Sequence, residues 1–165
     1  MKDLLENNGA RFSECGQYRY RLWRIWDEER RPLVFCMLNP STADAETDDP
    51  TVARCRERAR RLGYGGVVIV NLFALRSTDP KALYGHADPV GPHNNAHISN
   101  SCTWGDFVCA WGVHGKLHGR DKAVMRLLSE HQVEPLALRV TKQGQPSHPL
   151  YLPYDLNPEP FGMAA

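Results

Sequence analysis

Three short and uninterrupted apolar runs constrain the fold of this chain more than any other feature. They are LVFCML at residues 33–38, VVIV at residues 67–70 and FVCAW at residues 107–111. A strand with one face in water alternates apolar and polar residues, whereas a strand covered on both faces is apolar throughout. The three runs therefore predict a mostly parallel central sheet with helices on both of its faces.

The segment between the first two runs is predicted to be an amphipathic helix. Asp48 or Asp49 is placed to cap it, Pro50 suits its first turn and Gly63 suits its end. Its apolar residues recur at helical spacing and form one stripe: Val52, Cys55, Ala59 and Leu62. Such a helix supplies the crossover that joins two parallel strands of one sheet.

The remaining elements follow from weaker patterns. The alternation in QYRYRLWRIW predicts an edge strand at residues 17–26, with a hairpin leading into the first apolar run. Helices at about residues 94–103 and 121–131 and a last strand near residues 136–140 complete the order β-β-α-β-α-β-α-β. This order predicts the α/β class, as a three-layer α/β/α sandwich.

The composition predicts one domain over residues 1–165, with its core at about residues 17–155 and peripheral termini. A chain of 165 residues that is 42% hydrophobic buries a sufficient core without disulfides. The five cysteines form no C-x-x-C pair, and the sequence has no signal-peptide or membrane-spanning pattern. We therefore expect reduced thiols, a cytoplasmic location and no membrane partner. The oligomeric state stays open.

The ends of the predicted strands carry the candidate site. In an open α/β sheet, ligands bind outside the carboxyl ends of the strands. The first three runs lead into Asn39, Asn71 and Trp111, and the last strand feeds the loop that holds His148. The prolines after Asn39 and His148 keep both residues extended. Two amides and an imidazole at one crevice suit a flat, polar heterocycle and a water, although each residue alone also fits an ordinary turn or cap.

Metal sites are a weaker interpretation of the same chain. His93 and His97, and likewise His114 and His118, have the i, i+4 spacing of helical ligands, but both pairs lack the Glu of H-E-x-x-H. Cys109 lies inside an apolar run, where a ligand is poorly placed. We therefore predict no metal and no cofactor.

Two charged segments have both a functional and a structural interpretation. The acidic loop ADAETDD at residues 43–49 could bind Mg²⁺ or activate a water through Asp44 or Asp48, or it could only cap the following helix. The opposite stripe of that helix could contact phosphates or form a solvated face. That stripe consists of Arg54, Arg58 and Arg61.

From about Tyr20 to Pro153, the sequence resembles the family called domain of unknown function 1643. The matching segments are LNPSTADAETDDPT, GYGGVVIVNLFALRSTDP, DPVGPHN, AWGVHG and TKQGQPSHPLYLP. Their order is in turn similar to that of the uracil-DNA glycosylase superfamily. There, a D/N-P loop, an apolar strand ending in Asn, a strand ending in WG and an H-P-S-P-L loop follow one another.

The second resemblance implies roles for individual residues. Asn39 matches the residue that positions the attacking water, Asn71 the residue that reads the base, and His148 the residue that stabilises the departing base. Leu152 matches the wedge that fills the gap left by a flipped nucleotide. The other expected substrate contacts are Pro40, Ser41, Asp44 and Trp111, and the expected contacts to nucleic-acid phosphates are Arg54, Arg58, Arg76 and Lys142.

Departures from the superfamily pattern affect the expected substrate. Asn39 in place of Asp resembles the mismatch-specific branch, Met37 stands where a glycine is usual, and Tyr151 makes the last loop bulkier. The resemblance implies a hydrolase that cleaves the N-glycosidic bond of a base in DNA. The alternatives are hydrolysis of a free or modified nucleoside or nucleotide, and a non-catalytic module that binds a nucleobase or nucleic acid.

Overall fold

The computed structural model describes residues 8–162 as an α/β fold around one sheet. The strands of this part of the chain are β1 (Asn8–Phe12), β2 (Arg19–Ile25), β3 (Leu33–Met37), β4 (Gly66–Asn71), β5 (Asp106–Cys109), β6 (Pro135–Ala137) and β7 (Glu159–Pro160). The helices are α1 (Pro50–Arg61), α2 (Lys81–Gly85), α3 (Asn94–Ser101) and α4 (Arg120–Glu130), and a 3-10 segment spans Val113–Gly119. The predicted α/β class is confirmed.

The sheet is mixed, with the strand order β1-β2-β4-β3-β5-β6-β7. Its centre, β4-β3-β5-β6, is parallel, whereas β1 with β2, β2 with β4 and β6 with β7 pair in antiparallel fashion. The prediction of a mostly parallel sheet is therefore not confirmed, because only the centre of the sheet is parallel. The apolar runs identified the central strands, but β1 and β7 carry no comparable pattern.

Strand β2 is not the edge strand that its alternation predicted. It lies between β1 and β4, and all seven of its residues are buried. It also does not form a hairpin with β3, because β4 separates the two strands. The polar positions of its pattern are arginines that find partners inside the protein. Arg21, for example, packs with its guanidinium carbon 4.7 Å from the ring centre of Trp23 and 5.0 Å from that of Trp104.

A β-bulge in β2 decides which of its side chains face which side of the sheet. Arg11 pairs with Arg21, but the next residue of β1, Phe12, pairs with Arg19, so that Tyr20 is the extra residue. As a result, Tyr20 and Arg21 both lie on the face away from α1. Arg19 points to the α1 face, where it contacts the loop before that helix.

The local signals around α1 determine this helix as predicted. Asp49 is the N-cap, its carboxylate accepts a hydrogen bond from the amide of Val52 at 2.9 Å, and Pro50 occupies the first turn. Asp48, the other candidate cap, instead pairs with Arg24 and Arg56. The helix ends before Gly63, whose φ of +87° suits glycine.

Helices cover the sheet on both sides. Val52, Cys55 and Ala59 of α1 pack in one apolar cluster with alternate residues of β3 and β4. The opposite cluster includes Ile98 of α3 and Val124 of α4. Both helices were expected from periodicity, but the last strand ends earlier than predicted, at Ala137. Within the described part of the chain, no helix has the length and apolar character that crossing a membrane requires.

Candidate functional site

A polar cleft of about 230 Å³ opens at the carboxyl ends of β3 and β4, beside the N-terminus of α1. Its position agrees with the expectation from the strand ends. Segments from five parts of the chain converge there. The lining residues are Arg19, Met37, Leu38, Asn39, Pro40, Ser41, Asp49, Thr51, Val52, Ser77, Thr78, Pro80 and His148.

Asn39 lies in the cleft with its amide orientation fixed by the backbone. Its Nδ2 donates hydrogen bonds to the carbonyl oxygens of Ser77 at 2.9 Å and Pro40 at 3.1 Å. These bonds join the loop after β3 to the loop after β4. The amide nitrogen is thereby engaged, and Oδ1 is the atom with which Asn39 can accept a further hydrogen bond.

Asn71 lies next to the cleft but does not line it. It is 1% exposed at the end of β4 and pairs in register with Met37, which does line the cleft. Neither Nδ2 nor Oδ1 of Asn71 has a hydrogen-bond partner among the described residues. Burying an unpaired amide costs about 1–3 kcal/mol. Met37, at the position where the resemblance implies glycine, is thus the strand neighbour of Asn71 that lines the cleft.

His148 presents a defined tautomer to the cleft. Its Nδ1 accepts a hydrogen bond from the backbone amide of Leu150 at 3.3 Å, so the proton of the neutral ring resides on Nε2. Desolvation by the surrounding protein lowers the pKa of His148, and the nearby carboxylate of Asp49 partly opposes this effect. The ring is therefore a neutral donor near pH 7.

Trp111 does not contact the cleft and instead holds the loop that carries His148. It is buried, and its indole Nε1 donates to Oε1 of Gln145 at 2.8 Å. Nε2 of Gln145 donates in turn to the carboxylate of Asp121 at 3.0 Å, and the amide of Gly112 donates to the carbonyl of Pro146 at 2.7 Å. The predicted substrate contact of Trp111 is corrected to a role in positioning the loop.

Among the cleft residues that sequence reasoning did not assign to the site, Arg19 and Asp49 carry a charge. Arg19 is 2% exposed, its Nη1 donates to the carbonyl of Ala43 at 3.0 Å, and its Nε has no partner among the described residues. Burial lowers the pKa of Arg19 to about 10, although Asp49 acts in the opposite direction. The sequence identified Asp49 as a helix cap. Because a helix that begins near the carboxyl end of a strand has its cap at the crevice, this signal could also have placed Asp49 in the cleft. The orientation of Arg19 depends on the bulge.

Leu152 is not an exposed wedge. Its side chain is 7% exposed and packs in the apolar cluster on the α1 face. The side chain of the neighbouring Tyr151 is 91% exposed. The apolar character of Leu152 reflects burial against the core, which the short HPLYL pattern does not distinguish from an exposed hydrophobic tip.

The arginine stripe of α1 fixes the C-terminal segment of the domain. Arg58 is 1% exposed, and it donates hydrogen bonds to the carbonyls of Leu152 at 3.0 Å and Pro153 at 2.9 Å. Arg54 also donates to the carbonyl of Leu152. The guanidinium carbons of Arg54, Arg58 and Arg61 lie 4.2, 5.2 and 4.1 Å from the ring centre of Tyr154. Arg58 is therefore not available to a phosphate, whereas Arg54 is partly exposed and engaged through Nη2.

The other predicted residues are divided between the cleft and the surface. Pro40 and Ser41 line the cleft, and their contact with a substrate stays a prediction. Asp44 is outside it, where its carboxylate accepts from the amides of Glu46 at 3.0 Å and Thr47 at 2.8 Å. These bonds lower the pKa of Asp44 and make it a turn-forming residue.

The two remaining candidates for phosphate contact lie at the surface. Arg76 is exposed, donates to the carbonyl of Gly16 at 3.1 Å and packs over the ring of Phe12. Lys142 is exposed in the loop before Gln145. Neither side chain lines the cleft.

The described residues contain no group of three or more His, Cys, Asp or Glu side chains arranged to hold a metal ion. His97 stacks on the ring of Tyr20 with centroids 5.0 Å apart, and Nδ1 of His114 pairs with the hydroxyl of Tyr84 at 2.9 Å. These contacts give both histidines structural surroundings.

The fold and the cleft define an α/β protein with a small polar pocket at the carboxyl ends of two parallel strands. The chain belongs to the family described as protein of unknown function, DUF1643, which it matches over residues 19–150. This confirms the first resemblance. No curated protein and no solved structure matches the chain.

Proposed function

We propose that the protein hydrolyses an N-glycosidic bond, with the nucleobase and sugar bound in the cleft. The observation that carries the proposal is the pairing of Asn39 and the neutral Nε2–H of His148 in one cleft. An acceptor that can orient a water and a donor that can stabilise a leaving base are the two groups that this reaction needs.

The strand arrangement also supports this proposal. Asn39 and His148, two of the three residues that the resemblance to uracil-DNA glycosylases names, line one cleft, and Asn71 lies beside Met37 at its edge. Helices on both faces of these strands fit a three-layer sandwich of that type. The mixed outer strands extend this core.

In the proposed reaction, the bond between C1′ and the base nitrogen breaks and its electron pair passes to the base. His148 donates a hydrogen bond from Nε2 to the atom of the base where negative charge develops. Oδ1 of Asn39 orients the water, whose oxygen bonds to C1′. The carboxylate of Asp49 stabilises the cationic sugar and accepts a proton from the attacking water. Asp49 then releases this proton to solvent, and the departing base takes up one proton from solvent, so that the net reaction adds one water.

The substrate that this cleft favours is a nucleoside or nucleotide rather than a base flipped from duplex DNA. Base flipping requires a wedge and a track of phosphate contacts. Leu152 is buried, and Arg54 and Arg58 are engaged with the C-terminal segment. This makes the nucleotide alternative the better supported one.

The test is the release of free base, followed by mass spectrometry. The panel contains nucleosides, nucleotides and single- and double-stranded DNAs with normal, mismatched and modified bases. We expect release from a small substrate that His148→Ala lowers on the order of 100-fold or more, while the exposed control His131→Ala retains it. A decrease of tenfold or less in His148→Ala contradicts the assignment, and tight binding without release by the wild type identifies a recognition module instead.

Asn71→Leu provides a second test of the same site. Because the amide of Asn71 has no partner among the described residues, its removal should not lower the free energy of unfolding. If Asn71 reads the base once Met37 moves aside, base release is lost in a stable protein. A stable Asn71→Leu variant with full activity and unchanged base preference would exclude this role.

A further inference from the structure

Arg19 is a buried cation that lacks a counter-charge at hydrogen-bond distance. It is 2% exposed, and no ion pair of Arg19 forms within residues 8–162. Its contact through Nη1 is to a neutral carbonyl, and its Nε has no partner in that part of the chain. Burying a charge without pairing is costly, so such a group is retained where a ligand supplies the missing charge.

The surroundings of Arg19 in the cleft fit an oxyanion. Ser41 and Thr78 line the same cleft and carry hydroxyl donors. The N-terminus of α1 adds positive potential, but the carboxylate of Asp49 already accepts the amide of Val52. The contacts to an anion would therefore come from the guanidinium and the hydroxyls.

We propose that Arg19 is the anion-recognition residue of the cleft and that the substrate carries a phosphate monoester. This inference rests on the proposed function, because a nucleobase bound for hydrolysis most simply brings an anion as the phosphate on its sugar. A planar guanidinium binds two phosphate oxygens at once, and the hydroxyls can serve a third. A free nucleotide and the end of a nucleic-acid strand can both supply such a terminal phosphate.

The experiment is isothermal titration of the wild type at constant ionic strength with a nucleoside, its 5′-monophosphate, inorganic phosphate and a 5′-phosphorylated oligonucleotide. We expect the monophosphate to bind on the order of 10- to 100-fold more tightly than the nucleoside. Arg19→Gln should remove most of this preference. Arg60→Gln, the same change at an exposed position of α1, should keep it.

Two further measurements keep the test decisive. Arg19→Lys retains the charge but loses the planar fork, so a partial preference is expected if Arg19→Gln does not fold. Inorganic phosphate should raise the melting temperature of the wild type, relative to chloride, but not that of Arg19→Gln.

Equal binding of nucleoside and monophosphate by the wild type, or a preference that survives Arg19→Gln, overturns the inference. Binding of the oligonucleotide as tight as that of the monophosphate supports it and assigns the phosphate to a strand end. An Arg19-dependent phosphate preference without base release supports the anion site while contradicting the proposed hydrolysis. Base release without an Arg19-dependent phosphate preference supports the proposed hydrolysis and contradicts the anion site.

Discussion

Arg19 and Arg24 leave the same strand toward the same side of the sheet, yet their surroundings differ. Nε of Arg24 pairs with Asp48 at 2.9 Å, and its other nitrogens donate to the carbonyls of Trp23 at 2.9 Å and Asp44 at 2.6 Å. Arg19 has one carbonyl partner and an Nε without a partner among the described residues. Arg24 thus has its charge satisfied within the fold, whereas Arg19 lacks such partners among the described residues, and we propose that a ligand supplies them.

The arginines of α1 have more partners within the fold than Arg19, although Nε of Arg54 and Nε of Arg58 also lack a partner among the described residues. The charged stripe in the sequence singles out Arg54 and Arg58, but they hold the backbone at Leu152 and the ring of Tyr154. The alternating pattern of β2 does not single out Arg19. For these buried cations, the contacts made within the fold separate a structural arginine from a candidate ligand contact better than the sequence pattern does.

The largest expected effect is a difference in the free energy of unfolding between substitutions of Arg24 and Arg19. Arg24→Met leaves Asp48 and two carbonyls without their donor, and we expect it to lower the free energy of unfolding by about 3 kcal/mol or more. Arg19→Met removes an unpaired buried charge and should cost less than about 1 kcal/mol, or be stabilising. Urea denaturation measures both. Equal losses would show that Arg19 is as structural as Arg24.

The next effect concerns turnover in the cleft. His148→Ala removes the donor to the leaving base, and a single donor of this kind is worth about 2.7 to 4 kcal/mol in the transition state. We therefore expect a loss on the order of 100-fold or more in kcat on the substrate found by the base-release panel. Since His148 is exposed at the rim of the cleft, the stability should hardly change. A tenfold effect or less would remove His148 from the mechanism.

His97 extends the comparison with Arg19, because its Nδ1 is also buried without a partner in the described region. Unlike the guanidinium of Arg19, the imidazole of His97 can lose its charge by giving up a proton. Burial lowers the pKa of His97 from 6.5 to about 4, and Arg21 adds to the effect. Between pH 6.5 and pH 4, the unfolded chain therefore binds more protons at His97 than the folded chain does. The free energy of unfolding consequently decreases as the pH falls from 6.5 toward 4. The decrease is about 2 kcal/mol after allowance for the partial exposure of His97.

His97→Phe preserves the stack on Tyr20 and removes the titration. Unfolding free energies measured from pH 7 to pH 4 should decline less steeply in this variant than in the wild type. Identical pH profiles would mean that His97 titrates normally and that the unpaired Nδ1 carries no penalty.

The smallest expected effect concerns the arginine stripe of α1, which packs on Tyr154. Tyr154→Ala removes the ring on which Arg54, Arg58 and Arg61 pack, and it should cost about 1 kcal/mol of stability with base release unchanged. Tyr151→Ala, at the exposed neighbouring position, is the control and should change neither quantity. A loss of activity in Tyr154→Ala would connect the C-terminal segment to the cleft.

The sequence predicted those features that local patterns determine. The apolar runs identified β3, β4 and β5, and the cap and periodicity identified α1. Placing Asn39 and His148 at one crevice followed from the strand-end rule. The position of β2 between β1 and β4, and the orientation of Arg19, depend on pairing between distant segments and on a bulge, which leave no local signal. The burial of Leu152 was likewise a matter of tertiary packing.

The central claim is that the cleft breaks the bond between a sugar and a base, and the identity of the products tests it most directly. After incubation with the nucleotide that the panel identifies, chromatography and mass spectrometry would quantify every product over time. The account predicts that intact free base and sugar phosphate appear in equal amounts, and that His148→Ala slows the appearance of both on the order of 100-fold or more. Release of inorganic phosphate, or a change in the mass of a base that is still attached to its sugar, would contradict it.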